Sequence, residues 1–385
     1  MKSSRTGRRF LPPARRRRVL FPRESLVPTF DDIRPEEIRY DCRHYTGYRP
    51  CRRAESCVGC EAYDPRGTRI LIIKLGAMGD VLRTTCLLPI LRREFAPCHI
   101  TWITAPESRE LLAGNPAIDR LLTLRIEDVL ALEIEHFDYA FNFDKDAEAL
   151  ALAVRVNERV RRGFAPQPRA GTLSIFNEAS LHALRLGLSD ELKFRKSTLT
   201  YPQIICEMAE FPYRGEEYVL ELDAGARRRA GERFEAWRQN HRVESPYYIG
   251  LNTGCGTGFP TKQWTIEGFS GLARELLGRD ERTVCLLLGG AREREFNDAI
   301  VRAVAHPRLI DTGCDNSLRD FMALLERCDA LVSSDSLAMH VAIALRRPVV
   351  ALFGPTCHQE VDLFGRGEKI VTGFPCSPCY LKLCP

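Results

Sequence analysis

Arg69 to Thr85 reads RILIIKLGAMGDVLRTT, and this stretch decides the fold. Ile70 to Ile73 is an unbroken apolar run, mostly β-branched, which reads as a strand buried on both faces, as in a parallel sheet. Gly76 and Gly79 follow, and from Val81 to Leu91 the apolar residues recur at helical spacing. Strand, glycine turn and helix make the first βα unit of a doubly wound α/β domain. Such turns put backbone N–H groups and a helix start at the carboxyl edge of the sheet, where ligands bind. Asp80 stands one residue past Gly79. It either caps the helix, worth ~1 kcal/mol, or serves as a general base at the mouth of a site; the residues alone leave both open. The glycine spacing is not G-x-G-x-x-G and no acid stands at the ribose position, which argues against a nicotinamide or flavin.

The chain has 385 residues, 44% of them hydrophobic, enough for two domains with real cores. Its net charge of +5 is uneven, because residues 1–23 hold nine Lys/Arg and no acid, leaving 47 basic against 51 acidic residues elsewhere. The basic leader has no apolar stretch of a secretory signal, and no run approaches the ~20 apolar residues that span a bilayer. A cytoplasmic protein is therefore expected. The leader reads as a solubilising tail or as a patch for anionic lipid or nucleic acid, where each surface cation contributes about 1 kcal/mol.

Without a secretory signal, fifteen cysteines are not expected to form a disulfide framework. Cys86, Cys98, Cys206, Cys255, Cys285, Cys314, Cys328 and Cys357 read as small buried hydrophobes. The other seven lie at the two ends. Cys42, Cys51, Cys57 and Cys60 fall in a charged, turn-rich stretch that can bury little surface, and close with CVGC; Cys376, Cys379 and Cys384 form CSPCYLKLC. C-x2-C turns supply two thiolates to a tetrahedral site, so both clusters are candidate ligands for structural zinc or iron. The alternative is reduced thiols.

Three regions follow: 1–63, the basic leader and Cys-rich extension; 64–243, a first Rossmann-like domain; 244–385, a second. In the first, a helix over 79–94 precedes strands at His99–Ile103, Leu121–Leu124 and Tyr139–Phe143, then an Ala/Leu-rich helix opened by Asp144-Lys145-Asp146. A charged helix over 222–243 leads into the second. There Tyr248–Asn252, Thr283–Leu288, Leu309–Asp311, Ala330–Ser333 and Pro348–Phe353 read as strands, the last one closing the series. Two such domains leave a cleft between their carboxyl edges.

Several residues are placed to line that cleft. Lys262, after the glycine turn of the second domain, can neutralise a diphosphate and the charge growing on it as it leaves. Thr253 can add a phosphate bond. Glu293, beyond Gly289-Gly290, either holds ribose hydroxyls or complements a helix start. Ser336, Leu337 and Ala338 offer successive backbone N–H groups to phosphate at a helix start. Asp335 is a cap or a ligand group, and His340 a packing or catalytic histidine.

In combination these stretches resemble glycosyltransferase family 9, the ADP-heptose:lipopolysaccharide heptosyltransferases. ILIIKLGAMGDVLRTTCLLPILRR resembles the opening strand and GD turn of the family, and DYAFNFDKDAEALAL its later strand and helix. TKQW, LLLGGAREREFN and SSDSLAMHVAIALRRPVVALFGPT resemble its C-domain elements, over about Gly67 to Cys379. The resemblance implies the GT-B architecture, two Rossmann-like domains with parallel sheets facing a central cleft. It implies inverting transfer without a catalytic cofactor from a nucleotide sugar, ADP-heptose, to a glycan or glycolipid acceptor. Asp80 would then be the base, with Gly76 and Gly79 shaping the acceptor turn. Lys262 would face the diphosphate, Glu293 the ribose, and Ser336 to His340 the phosphates. The place of work would be the inner face of the inner membrane, with nucleic acid not a partner. Leu337 stands where the family carries glycine, so a silent nucleotide-sugar binder is the alternative. The cysteine-rich ends resemble those of iron-binding autotransporter heptosyltransferases, which makes a protein acceptor a second alternative. A family helix would follow Pro385.

Overall fold

The computed structural model describes residues 33–49, 51–241 and 243–384, and the basic leader lies outside the described residues. The chain divides into two compact units, Met1–Pro65 and Arg66–Pro385.

The first unit is built of turns around a bridge between Cys42 and Pro65. Cys42 and Ser56 are its only buried residues among those described. Gly59, at φ 66°, makes the left-handed step that turns the CVGC loop. Cys42, His44, Cys51, Cys57 and Cys60 line one small cavity. The expected metal clip is not preformed: among the described residues no three His, Cys, Asp or Glu side chains are grouped to hold a metal ion, at either end of the chain. All fifteen cysteines are unpaired thiols, and the eight read as buried hydrophobes are buried.

The second unit carries two six-stranded sheets. In the first, β1 (Thr68–Ile73) lies between β2 (Cys98–Thr104) and β4 (His136–Asn142). β3 (Arg120–Thr123) flanks β2, and β5 (Asn157–Pro166) flanks β4. All of these pair in parallel, and β6 (Leu173–Ile175) closes the edge antiparallel. The unbroken apolar run in β1 is explained by its two covered faces. Ile70 and Ile72 pack with Trp102 and Phe141 on one side, Leu71 and Ile73 with Ile103 and Leu132 on the other.

The second sheet repeats the order. β7 (Tyr247–Asn252) lies between β8 (Thr283–Leu288) and β10 (Ala330–Ser334), with β9 (Leu309–Asp311) and β11 (Val349–Phe353) beyond them. A further strand, β12 (Gly367–Val371), pairs with β11, so Pro348–Phe353 does not end the series. Most of β12 is exposed, which is why it carries no apolar run. In both sheets the order reverses beside the first strand, the switch point where a crevice opens at the carboxyl edge.

Two corrections position the site. The helix expected over 79–94 is two, α1 (Met78–Thr84) and α2 (Leu87–Glu94). Pro89 has no N–H to offer the Thr85 carbonyl and its ring crowds it; Leu88 bonds that oxygen at 3.0 Å instead. The charged helix α3 (Ala224–His241), placed by the 243/244 boundary with the first half, packs on the second. Its Ala226, Ala230 and Phe234 share a core with Met322 and Leu325, and Arg229 bonds Asp320 at 2.6 Å. Leu82, Cys86 and Leu111 of the first half enter the same core, beside Met339 and Ala342 of α4 (Leu337–Ala344). The two halves are thus joined through apolar packing of α1 against α4.

Candidate active site

Gly79 lets the start of α1 sit against α4. A Cβ there would fall 2.8 Å from Cδ2 of His340, so only glycine fits without displacement. The next residue, Asp80, keeps 35% of its side chain exposed and pairs with Arg83, whose guanidinium lies 4.0 Å from the Tyr201 ring centroid. Burial by itself would raise the Asp80 carboxyl, but Arg83 and Lys74 outweigh it and hold it below the ordinary aspartate range. Asp80 is therefore an ionised, reachable carboxylate at neutral pH.

The turn before it is fixed from below. Lys74 and Asp144 form a buried pair at 3.1 Å. Asp144 also accepts from the backbone N–H groups of Leu75 at 2.8 Å and Gly76 at 3.0 Å. Breaking such a pair strands a charge, at a cost of about 3–5 kcal/mol, so the pair locks the loop carrying Asp80.

On the facing edge, Lys262 stands 3.8 Å from Asp335, and His340 Nε2 lies 3.7 Å from the same carboxylate. Burial would raise Asp335, yet His340, Lys262 and Arg83 hold it well below the usual range. Burial keeps the His340 imidazole below its ordinary value, against the pull of Asp335, so it is neutral at pH 7. Ser336 Oγ lies 2.9 Å from Ser333 Oγ and accepts from Asn252 Nδ2 at 3.2 Å, which holds the turn into α4.

Two cavities meet at Asp80. One runs into the first half past Gly76, Asp144, Lys145 and Tyr201. The other runs along the second half past Asn252, Lys262, Asp335, Ser336 and His340. Gly79, Leu337 and Ala338 also line the second. One expected residue stands elsewhere. Thr253 is buried, its hydroxyl donating to Asn297 Oδ1 at 2.6 Å, so it faces the core and not the cleft. Glu293 accepts from the Gly290 N–H at 2.9 Å, and its carboxylate lies beside Gly254 and Gly290, which line the second cavity.

Reasoning from the sequence missed Lys74, Arg83, Asp144, Lys193, Tyr201 and Glu360. One signal was available. A lysine at the end of a doubly buried strand needs a partner, which Asp144 supplies.

The pattern of glycosyltransferase family 9 (heptosyltransferase) matches residues 130–385. Lipopolysaccharide heptosyltransferase 2 of Escherichia coli K12 is 32% identical over 134 residues, 33% of this chain and 37% of that protein. Lipopolysaccharide heptosyltransferase 1 of Pseudomonas aeruginosa is 24% identical over 82% of this chain and 87% of its own length. Among solved structures, ADP-heptose lps heptosyltransferase II of E. coli superposes with a TM-score of 0.59 at 20% identity. It covers 79% of this chain and 90% of that one, and shows the shared fold.

Proposed function

The chain belongs to glycosyltransferase family 9 (heptosyltransferase), and on that premise we propose that it moves a heptose from ADP-heptose to a hydroxyl of a lipopolysaccharide-core or other glycan, with inversion, using Asp80 as the base. One observation carries the reading. Asp80 lies on the wall common to two cavities, one at each sheet's carboxyl edge.

The acceptor occupies the first cavity and presents its hydroxyl to Asp80. As that oxygen bonds to the anomeric carbon, its proton passes to the carboxylate. The bond from the anomeric carbon to the phosphate oxygen breaks on the opposite face, and ADP leaves with the electron pair. Attack opposite the leaving group inverts the centre. Lys262 and the backbone N–H groups at Ser336 to Ala338 face the diphosphate and meet the charge it gains. A positioned base accounts for ~10²–10⁴-fold of the rate. The apolar joint between the halves holds base and donor in register.

The test is release of ADP from ADP-heptose by the purified chain. The reading expects release that depends on added lipopolysaccharide-core acceptor, with mass spectrometry showing one heptose added. Binding without any turnover would support the silent-binder alternative instead.

A further inference from the structure

Five residues line both cavities: Ala77, Asp80, Arg83, Lys193 and Glu360. Asp80 and Arg83 pair with each other. Lys193 holds its ammonium 4.1 Å from the Tyr380 ring centroid. Among the described residues the Glu360 carboxylate has neither an ion pair nor a hydrogen bond, although it is at most partly exposed. A carboxylate left so, at the point where two substrates must meet, is placed for a ligand.

The loop that carries it is fastened without help from that carboxylate. After β11 a loop of the second half reaches the first before the chain returns as β12. The Tyr201 N–H donates to the Glu360 backbone oxygen at 2.9 Å, and Gln359 Nε2 donates to the Lys193 backbone oxygen, also at 2.9 Å. Tyr201 is the residue beneath Arg83, the partner of Asp80. The position of Glu360 relative to the base is thus set by its own main chain and its neighbour. The side chain is left to do something else.

Its charge says what. A carboxylate repels phosphate and accepts hydrogen bonds from hydroxyls. The diphosphate has its cation, Lys262, further along the second cavity, next to Asp335. Between Lys262 and Asp80 lies the room the sugar must occupy, and Glu360 is on its wall. Burial raises the Glu360 carboxyl, as do Asp80 and Asp335, against Lys193 and Arg83. A group so penned in gains from any hydroxyl that donates to it.

We propose that Glu360 is a further donor-binding residue, the carboxylate that accepts hydrogen bonds from hydroxyls of the sugar being transferred. This rests on the donor reading above. It concerns only the sugar end of that donor, whereas the nucleotide end is held by the second sheet's edge.

The experiment compares two ligands on three chains. ADP and ADP-heptose are titrated calorimetrically into the parent, Glu360→Gln and Glu360→Ala chains, in the Asp80→Asn background so that no donor is consumed. ADP affinity is expected to stay within two-fold, because no nucleotide contact changes. ADP-heptose affinity is expected to fall about ten-fold or more in both variants, as for loss of hydrogen bonds to a charged group. An unchanged ratio of the two affinities overturns the proposal. So does a parallel loss of both ligands, which would assign the side chain to loop structure. If the parent chain does not bind ADP-heptose at all, the donor reading itself fails and takes the proposal with it. That outcome is read from the parent alone.

Discussion

Asp80 is partly buried and yet stays ionised, because Arg83 and Lys74 more than offset the cost of burial. Replacing Arg83 with methionine removes the nearer cation and leaves burial less opposed, so the carboxyl titrates at higher pH. A base works only when deprotonated. The acid limb of kcat against pH should therefore move upward in Arg83→Met, while the rate on the plateau changes less. A limb that stays in place would mean that Arg83 does not set the state of the base. Lys74 belongs to the same account at one remove, since its partner Asp144 holds the backbone of Leu75 and Gly76. These residues form no spaced motif. Lys74 at a buried strand end calls for a partner, but that the partner is Asp144 becomes visible only when the fold brings position 144 to position 74.

At the scale of elements, apolar runs were legible wherever both faces of a strand are covered. β1, β8 and β10 read directly from the chain for that reason. β6 has three half-buried residues and β12 is mostly exposed, so neither leaves a hydrophobic signature. The glycine turns were also legible, but not the direction of each side chain within them. Asn252 faces Ser333 and Ser336, whereas Thr253 turns to Asn297 in the core. Neighbours on a strand end point to opposite sides, and sequence does not say which side holds the cleft. Gly79 is the turn residue with the sharpest consequence. Gly79→Ala would press a methyl against His340 and drive α1 from α4. Transfer should fall at least ten-fold. Far-UV circular dichroism should be unchanged, because each half keeps its own sheet. Full activity in Gly79→Ala would show that the helices do not need this contact.

For the whole second unit, two sheets of the same strand order are joined by the packing of α1 against α4 across an apolar seam, and the proposed chemistry is divided between them. In the proposed reading the first supplies the base and the acceptor cavity, the second the nucleotide end of the donor. The family likeness reads this division from the glycine turns, but the seam itself, built from Leu82, Leu111, Met339 and Ala342, has no local signature. On that reading the seam lets Asp80 act on a ligand held by the other sheet. Among the described residues no helix is long and apolar enough to cross a membrane. The most direct measurement is therefore made on Asp80→Asn, which keeps shape and removes the base. Acceptor-dependent ADP release should drop by ~10²–10⁴-fold, with ADP affinity within two-fold of the parent. Transfer retained within a few-fold of the parent would contradict the assignment of Asp80, and with it the meeting of the two cavities as the place of reaction.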